Sequence, residues 1–287
     1  MSVRKVKKII QGMNAVDGAG VKLVRVVGHN DVKDFDPFLM LDAFDSSDPK
    51  DYIKGFPHHP HRGIETVTYL ISGKIEHEDS LKNKGVINGG DCQWMTAGSG
   101  IIHQEMPKPA ERMLGCQLWV NLPAKDKMTD PKYRDITKEM VPVIKEDGNG
   151  SGTEIRVLAG EYKGTAGAMQ ADYVKINYLD VTIKPNTAWT LETNPENTLF
   201  IYILSGSANF KDQYQNPVSI FEKSAVLFDG GETFETTART DGVRFLLFEG
   251  KPLKESIAWG GPIVMNTREE LEFAFYELDR GTFVKHK

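Results

Sequence analysis

The sequence predicts an all-β protein: two β-domains in tandem, with one short helix near the C-terminal end. Three observations carry this. Short apolar runs bounded by Gly, Pro, Asn and Asp recur along the chain. Two motifs repeat at a similar offset: Tyr69-Leu70-Ile71-Ser72-Gly73 resembles Tyr202-Ile203-Leu204-Ser205-Gly206, and Gly90-Asp91 to Ala97-Gly98 parallels Ser224-Ala225 to Asp229-Gly230. Helical periodicity is convincing only near the end, where Thr267 and Glu270 have capping-box spacing and Leu271, Ala274, Phe275 and Leu278 form an apolar stripe.

The first half reads as strands in order. Val21, Leu23 and Val27 share one face after the turn at Asp17-Gly18, and Phe38 to Leu41 is an apolar run after Asp36-Pro37. A polar loop, Asp45 to Lys54, leads into a strand over Thr66 to Ile71. On the next strand Ile75, His77 and Asp79 point one way, and Glu76 and Glu78 the other. Cys92 to Thr96 and Ile101 to Met106 follow. Leu114, Cys116, Leu118, Val120 and Leu122 then alternate with Gly115, Gln117, Trp119 and Asn121 as a core strand. Pro123 to Val141 is charged and irregular, with room for a short helical piece. Asp147-Gly148-Asn149-Gly150-Ser151-Gly152 marks a domain linker or a long hairpin turn. The second half continues with strands over Tyr178 to Ile183, Leu199 to Leu204, Ala225 to Phe228 and Val243 to Phe248. The expected domains are 1–135, a linker at 136–152, and 153–287 including a helix over 268–279.

Composition excludes several classes. A formal charge of −5 and a pI near 5.9 argue against general nucleic-acid binding, which needs a basic face. Cys92 and Cys116 form neither a disulfide framework nor a CxxC pair and read as buried thiols in a reducing compartment. The N-terminus lacks the apolar run of a signal peptide, and no stretch approaches the ~20 apolar residues of a membrane span. A cytoplasmic monomer is expected, with nuclear residence as the eukaryotic alternative.

The chemistry concentrates in residues 58–105, which hold five of the seven histidines. Residues two apart on a strand share a face, so His59 and His61 form one pair and His103 and Glu105 another. If the two segments lie on facing parts of one barrel, four ligands converge. Pro60 cannot donate to a ladder, which places its segment at a strand start or sheet edge. Three neutral imidazoles and a carboxylate suit Fe(II), Mn(II), Ni(II), Cu(II) or Zn(II). Four ligands on a six-coordinate ion leave two positions open, whereas four on zinc close a structural tetrahedron. Glu65, four residues after His61, rivals Glu105 as the carboxylate. His58 faces away from His59. His77 either orients a ligand from behind or is a half-exposed strand residue, and Trp94 and Met95 line a pocket wall or pack in the core. Cys92 is a weaker ligand candidate.

The runs HPHRGIETVTYLISG, GGDCQWMTAGSGIIHQEMP and CQLWVNLP, with Asp36-Pro37-Phe38-Leu39 and Gly261-Pro262-Ile263-Val264-Met265-Asn266-Thr267, resemble the pirin family over nearly the full chain. The resemblance implies a cupin-superfamily fold of two jelly-roll β-barrels in which only the first binds metal. It places the ligands at His59, His61, His103 and Glu105 and favours Glu105 over Glu65. It implies either a metal-dependent dioxygenase, with Fe(II) the leading cofactor, acting on quercetin-like flavonols with dioxygen, or a metal-dependent regulator that binds a transcription factor or metabolic enzyme. In the enzyme reading Glu105, or a carboxylate behind it, accepts the substrate's hydroxyl proton. One departure from the family is Gly28-His29-Asn30, where an arginine often follows the glycine.

Overall fold

A computed structural model describes residues 2–146 and 152–286. The chain divides into two compact units, and the division interleaves segments. One unit is Met13–Val32, Phe38–Lys138 and Leu253–Lys287; the other is Met1–Gly12, Lys33–Pro37 and Glu139–Pro252. Among the described residues no helix is long and apolar enough to cross a membrane.

The unit carrying the histidines is built from two antiparallel sheets. The larger has seven strands, in spatial order Lys132–Ile136, Cys92–Thr96, Ile64–Ser72, Met113–Asn121, Phe38–Ser46, Val21–Val27 and Met13–Asp17. The smaller has four: Phe56–His61, Ile101–Pro107, Lys74–Asp79 and Lys84–Asn88. Apolar side chains from both sheets meet in shared clusters. One joins Phe44, Leu70 and Met113 to Ile75 and Ile87; another joins Met40, Ile64, Met95 and Trp119 to Ile101. Burial follows the expected alternation on Lys74–Asp79, where Ile75, His77 and Asp79 are buried and Glu76 and Glu78 are half-exposed.

The other unit is built on a nine-stranded antiparallel sheet, with a small two-stranded one of Glu161–Tyr162 and Thr165–Ala166. Its two long strands, Thr198–Lys211 and Thr233–Gly250, pair with shifts in register between Ile203 and Ser205 and again between Gly206 and Ala208. Such irregularities add twist and bend, which suits a sheet curling around its own core. That core is filled with aromatic rings: Phe234 lies 5.0 Å from Phe228 and 5.9 Å from Trp189, and Trp189 donates to Tyr162 Oη at 3.1 Å.

The helix forms over Arg268–Asp279 as expected, with both halves of its capping box, and its contacts group it with the unit that carries the histidines. The cause is polar as well as apolar. Ala274 is buried, whereas Phe275 of the expected stripe is 37% exposed, and the buried Glu277 takes a 2.8 Å ion pair from the buried Arg62. Arg62 also donates to the Phe283 carbonyl at 2.9 Å and stacks 4.2 Å over the Phe283 ring. Lys127 adds a second tie: its buried ammonium donates to Gly63 O, Asn121 Oδ1 and Val264 O at 2.7–2.9 Å. Gly63 is required here, because its φ is +77° and a Cβ would lie 2.0 Å from Val264 O.

In the stretch expected as a linker, 136–152, Ile136 ends a strand, and Val143–Glu146 is another, paired with Thr153–Ala159 so that Glu146 lies opposite Thr153. The flanking strands are thus paired as in a hairpin, the alternative expected there; residues 147–151 themselves lie outside the described residues. The region from Pro123 to Val141 contains its short helical piece, a 3-10 turn at Ala124–Asp126, and also the unforeseen strand Lys132–Ile136.

Replacing Glu277 by Leu leaves the Arg62 guanidinium buried without its anion. A loss of about 3–5 kcal/mol is expected, read as a lower midpoint in urea denaturation. Thr267→Ala removes the helix cap and is expected to cost about 1 kcal/mol in the same measurement; an unchanged midpoint in both variants would remove the helix from the stability of this unit.

Candidate metal centre

The histidine strand Phe56–His61 sits at the edge of the smaller sheet and pairs only with Ile101–Pro107. An edge tolerates Pro57 and Pro60, which have no N–H to give a second neighbour. The two segments are thus adjacent in one sheet and not on facing parts of the barrel. Their register aligns His61 with Ile101, Pro60 with Ile102 and His59 with His103. Directly paired residues project to the same face, so parity brings His59, His61 and His103 together.

The ring centroids lie 4.4 Å (His59–His103), 4.8 Å (His59–His61) and 5.1 Å (His61–His103) apart, and one ligand nitrogen from each falls within 4.8 Å of the others. Among the described residues this is the one grouping of three or more His, Cys, Asp or Glu able to hold a metal. Two rings are turned by carbonyls. A carbonyl only accepts, so His59 Nδ1–H donates to Pro57 O at 2.9 Å and His61 Nδ1–H donates to Pro262 O at 3.2 Å. Each Nε2 is left with its lone pair. His61 Nε2 and both nitrogens of His103 are buried with no hydrogen-bond partner in the protein. Burial, and secondarily the neighbouring imidazoles, hold His61 and His103 well below the usual histidine range. These rings are therefore neutral at neutral pH and can act as ligands. Orphaned lone pairs are costly in a folded interior, and a divalent cation would take one ligand nitrogen from each of the three rings at once. The donor set fits the implied metal.

Glu105 is buried on the same strand, but the register shifts between His103 and Glu105, which aligns Glu105 with Phe56. Its carboxylate is not part of the grouped ligand atoms. It reaches the larger sheet instead, accepting from Gln117 Nε2 at 2.9 and 3.1 Å and from Thr68 Oγ1 at 3.1 Å. Gln117 cannot flip: its Oε1 accepts the Trp119 indole N–H at 3.2 Å, which commits the amide nitrogen to Glu105. The Trp119 ring stands edge-on to His61 at 5.1 Å and 88°.

Register also sorts the remaining candidates. Thr68 shows which face of Ile64–Ser72 lines the site, and Glu65, three residues away, lies on the other face, where it accepts from Thr96. Trp94 pairs with Val67 on that same far face. Met95 pairs with Thr66 on the near face but packs in the core with Trp119. His77 is the direct partner of Glu105, buried, and stacked on Tyr133 at 5.6 Å; it stands behind Glu105 and is not in the cavity wall. His58 is exposed, as its parity requires. Cys92 is buried, and burial pushes its thiol well above the usual range, so no thiolate is available.

His59, His61 and Glu105 open on a cavity of about 490 Å³, walled by Leu23, Met40, Phe44, Phe56, Trp119 and Trp259. Its contributors Gln117, Thr68, Trp259 and Pro262 were not identified from the sequence. For Gln117 a signal existed: it alternates with the residues taken as the core face, and both faces of that strand are covered. Nothing local marks Trp259 or Pro262.

Comparison with known proteins agrees with this architecture. The Pirin domain matches residues 20–120, and the Pirin C-terminal cupin domain matches residues 178–284. A pirin-like protein of Caulobacter vibrioides is 41% identical over 99% of this chain and all of its own length. Pirin of Homo sapiens is 36% identical over 96% of this chain and 92% of its own. The crystal structure of a quercetin 2,3-dioxygenase from Acinetobacter baumannii superposes with a TM-score of 0.88 at 32% identity, covering 98% of this chain and 99% of that one. Both halves match the family's own domains, the fold is the expected all-β pair of cupin domains, and the chain belongs to the pirin family.

Proposed function

We propose that the protein is a metal-dependent dioxygenase for quercetin-like flavonols. The observation that carries this is the union of three convergent imidazole nitrogens, those of His61 and His103 buried without a protein partner, with a buried carboxylate at the wall of an apolar cavity large enough for a three-ring molecule. The similarity to a quercetin 2,3-dioxygenase structure supports the same reading. His59, His61 and His103 would hold one divalent ion, with Fe(II) the leading identity and Mn, Ni, Cu and Zn the alternatives. When bound, the ion supplies Lewis acidity toward the substrate's oxygens and a locus for dioxygen chemistry.

The chain's own residues do the rest. Glu105 accepts the flavonol hydroxyl proton. Gln117 and Thr68 hold its carboxylate in place by three hydrogen bonds, so its orientation is set before substrate arrives. The apolar walls keep bulk water from the deprotonated substrate. A cytoplasmic location suits two buried cysteines that form no disulfide.

A second reading, a metal-dependent regulator, is favoured by one observation. The segment that supplies Pro262 O to His61 leads into the helix Arg268–Asp279, whose Phe273 and Tyr276 are 58% and 54% exposed and stacked at 6.3 Å. A change at His61 would reach that aromatic face through one hydrogen bond.

Reconstitution with Fe(II), Mn(II), Co(II) or Ni(II), followed by elemental analysis, is expected to give about one ion per chain and none in His103→Ala. Equal content in the two proteins would refute the ligand assignment. Glu105→Gln is expected to retain the ion and to lose oxygen-dependent flavonol consumption by about 100-fold or more. Loss of the ion instead would make Glu105 a required ligand, and unchanged turnover would remove it from the chemistry.

A further inference from the structure

Two features of the cavity lie beyond the imidazoles and Glu105. The first is a run of rings along one wall. Trp119, edge-on to His61, lies 5.8 Å from Trp259 at 32°, and Trp259 lies 5.2 Å from His29 at 33°. Trp259 belongs to the hairpin Ala258–Gly260 and Ile263–Met265, and its indole N–H donates to Gly261 O of the same hairpin at 2.7 Å. Such an extended, gently turning aromatic surface suits a planar ligand.

The second feature is a polar row across the inner face of the larger sheet. Arg25 pairs with Asp42, Asp42 with Gln117, and Gln117 with Thr68, each directly opposite the next. Asp42 is therefore one strand spacing, ~4.8 Å, from the residue that holds Glu105. Asp42 is 5% exposed, and Arg25 grips it through both oxygens at 2.9 and 2.7 Å. Arg25 Nη2 also reaches Asp17 Oδ2 at 2.8 Å. One cation thus stands between two carboxylates, and the trio keeps a net negative charge. Each carboxylate oxygen can accept two hydrogen bonds, so Asp42 retains acceptor capacity on the cavity side while its position is fixed.

We infer that Asp42, held by Arg25 and lining the same cavity as the Trp119–Trp259 wall, is a specificity subsite for an aromatic ring bearing neutral hydroxyl donors. This inference rests on the flavonol reading and extends it. The ring system lies along the indoles with one end toward the imidazoles, and a hydroxyl on its remote ring donates to Asp42. A carboxylate or sulfate in that position meets net negative charge and is rejected. Asp42 is a positioning residue: it selects and aligns the substrate and takes no part in bond breaking.

The test uses the full-length, metal-free protein and three one-ring probes, phenol, anisole and benzoate, with binding measured by ligand-observed NMR. Phenol is expected to bind about tenfold more tightly than anisole, which has no hydroxyl donor, the value of a hydrogen bond to a charged acceptor, and benzoate to bind weakest. Asp42→Asn should remove most of the phenol preference and leave anisole unchanged. Trp259→Leu should weaken phenol and anisole equally. The inference is overturned if phenol binds no tighter than anisole, if the preference survives undiminished in folded Asp42→Asn, or if benzoate matches phenol. Should Asp42→Asn fail to fold, equal phenol and anisole affinity in the unsubstituted protein or unchanged binding in Trp259→Leu overturns it, and the expected ratio together with an equal loss for both probes upholds it. The expected probe pattern without any flavonol turnover would refute the oxygenase reading and leave the subsite standing.

Discussion

The register between Phe56–His61 and Ile101–Pro107 is the constraint on which the rest of the site depends. A slip of one residue would turn every side chain of the edge strand to the opposite face, exposing His59 and His61 and burying His58 and Pro60. The pairing of His59 with His103 is what makes three histidines a single group. The shift that follows His103 then separates the roles on one strand. His103 stays with the histidines, and Glu105 is handed to Gln117 and Thr68 on the opposite sheet. One irregularity therefore separates a member of the histidine cluster from a carboxylate fixed by amide and hydroxyl donors.

The two units show alternative uses of similar sheets. In one, Trp189, Phe210, Phe228, Phe234 and Phe245 occupy the interior, and no histidine lies between His103 and His286 to give that interior a ligand. In the other, space is left open and polar atoms are kept without protein partners, an arrangement that weakens a fold. Around the site three cations are tied to oxygens of other segments. Arg62 meets Glu277 and Phe283, Lys127 meets three oxygens, and Arg25 meets Asp42.

Much of this was legible in the sequence, and the limits have physical reasons. Strand parity alone selected His59, His61 and His103 and set His58 aside, because period-two alternation is a local property. The choice of Glu105 over Glu65 needed the family resemblance, since both are candidate carboxylates until the faces of Ile64–Ser72 are known. Gln117, Thr68 and Asp42 were not recognised as neighbours because their adjacency is a matter of register between strands far apart in sequence. The helix over 268–279 was legible from its cap and periodicity; the surface that receives it was not. Periodicity reports that a face is apolar and is silent on which surface receives it; the deciding contact was Glu277 with Arg62, a charged pair that reads as solvent-facing in sequence.

The Lys127 clamp has a consequence for how the protein can be interrogated. Its ammonium donates to Gly63 beside the histidine strand and to Val264 beside Pro262, so it closes only while the C-terminal segment is seated. Burial lowers this amine to about 8 and shields it from acylating reagents in the seated state; once uncovered it returns toward the ordinary lysine range and becomes open to them. The rate at which Lys127 is labelled is therefore a clock for local opening of that segment. It reports the detachment of Pro262 from His61 without any assay of turnover.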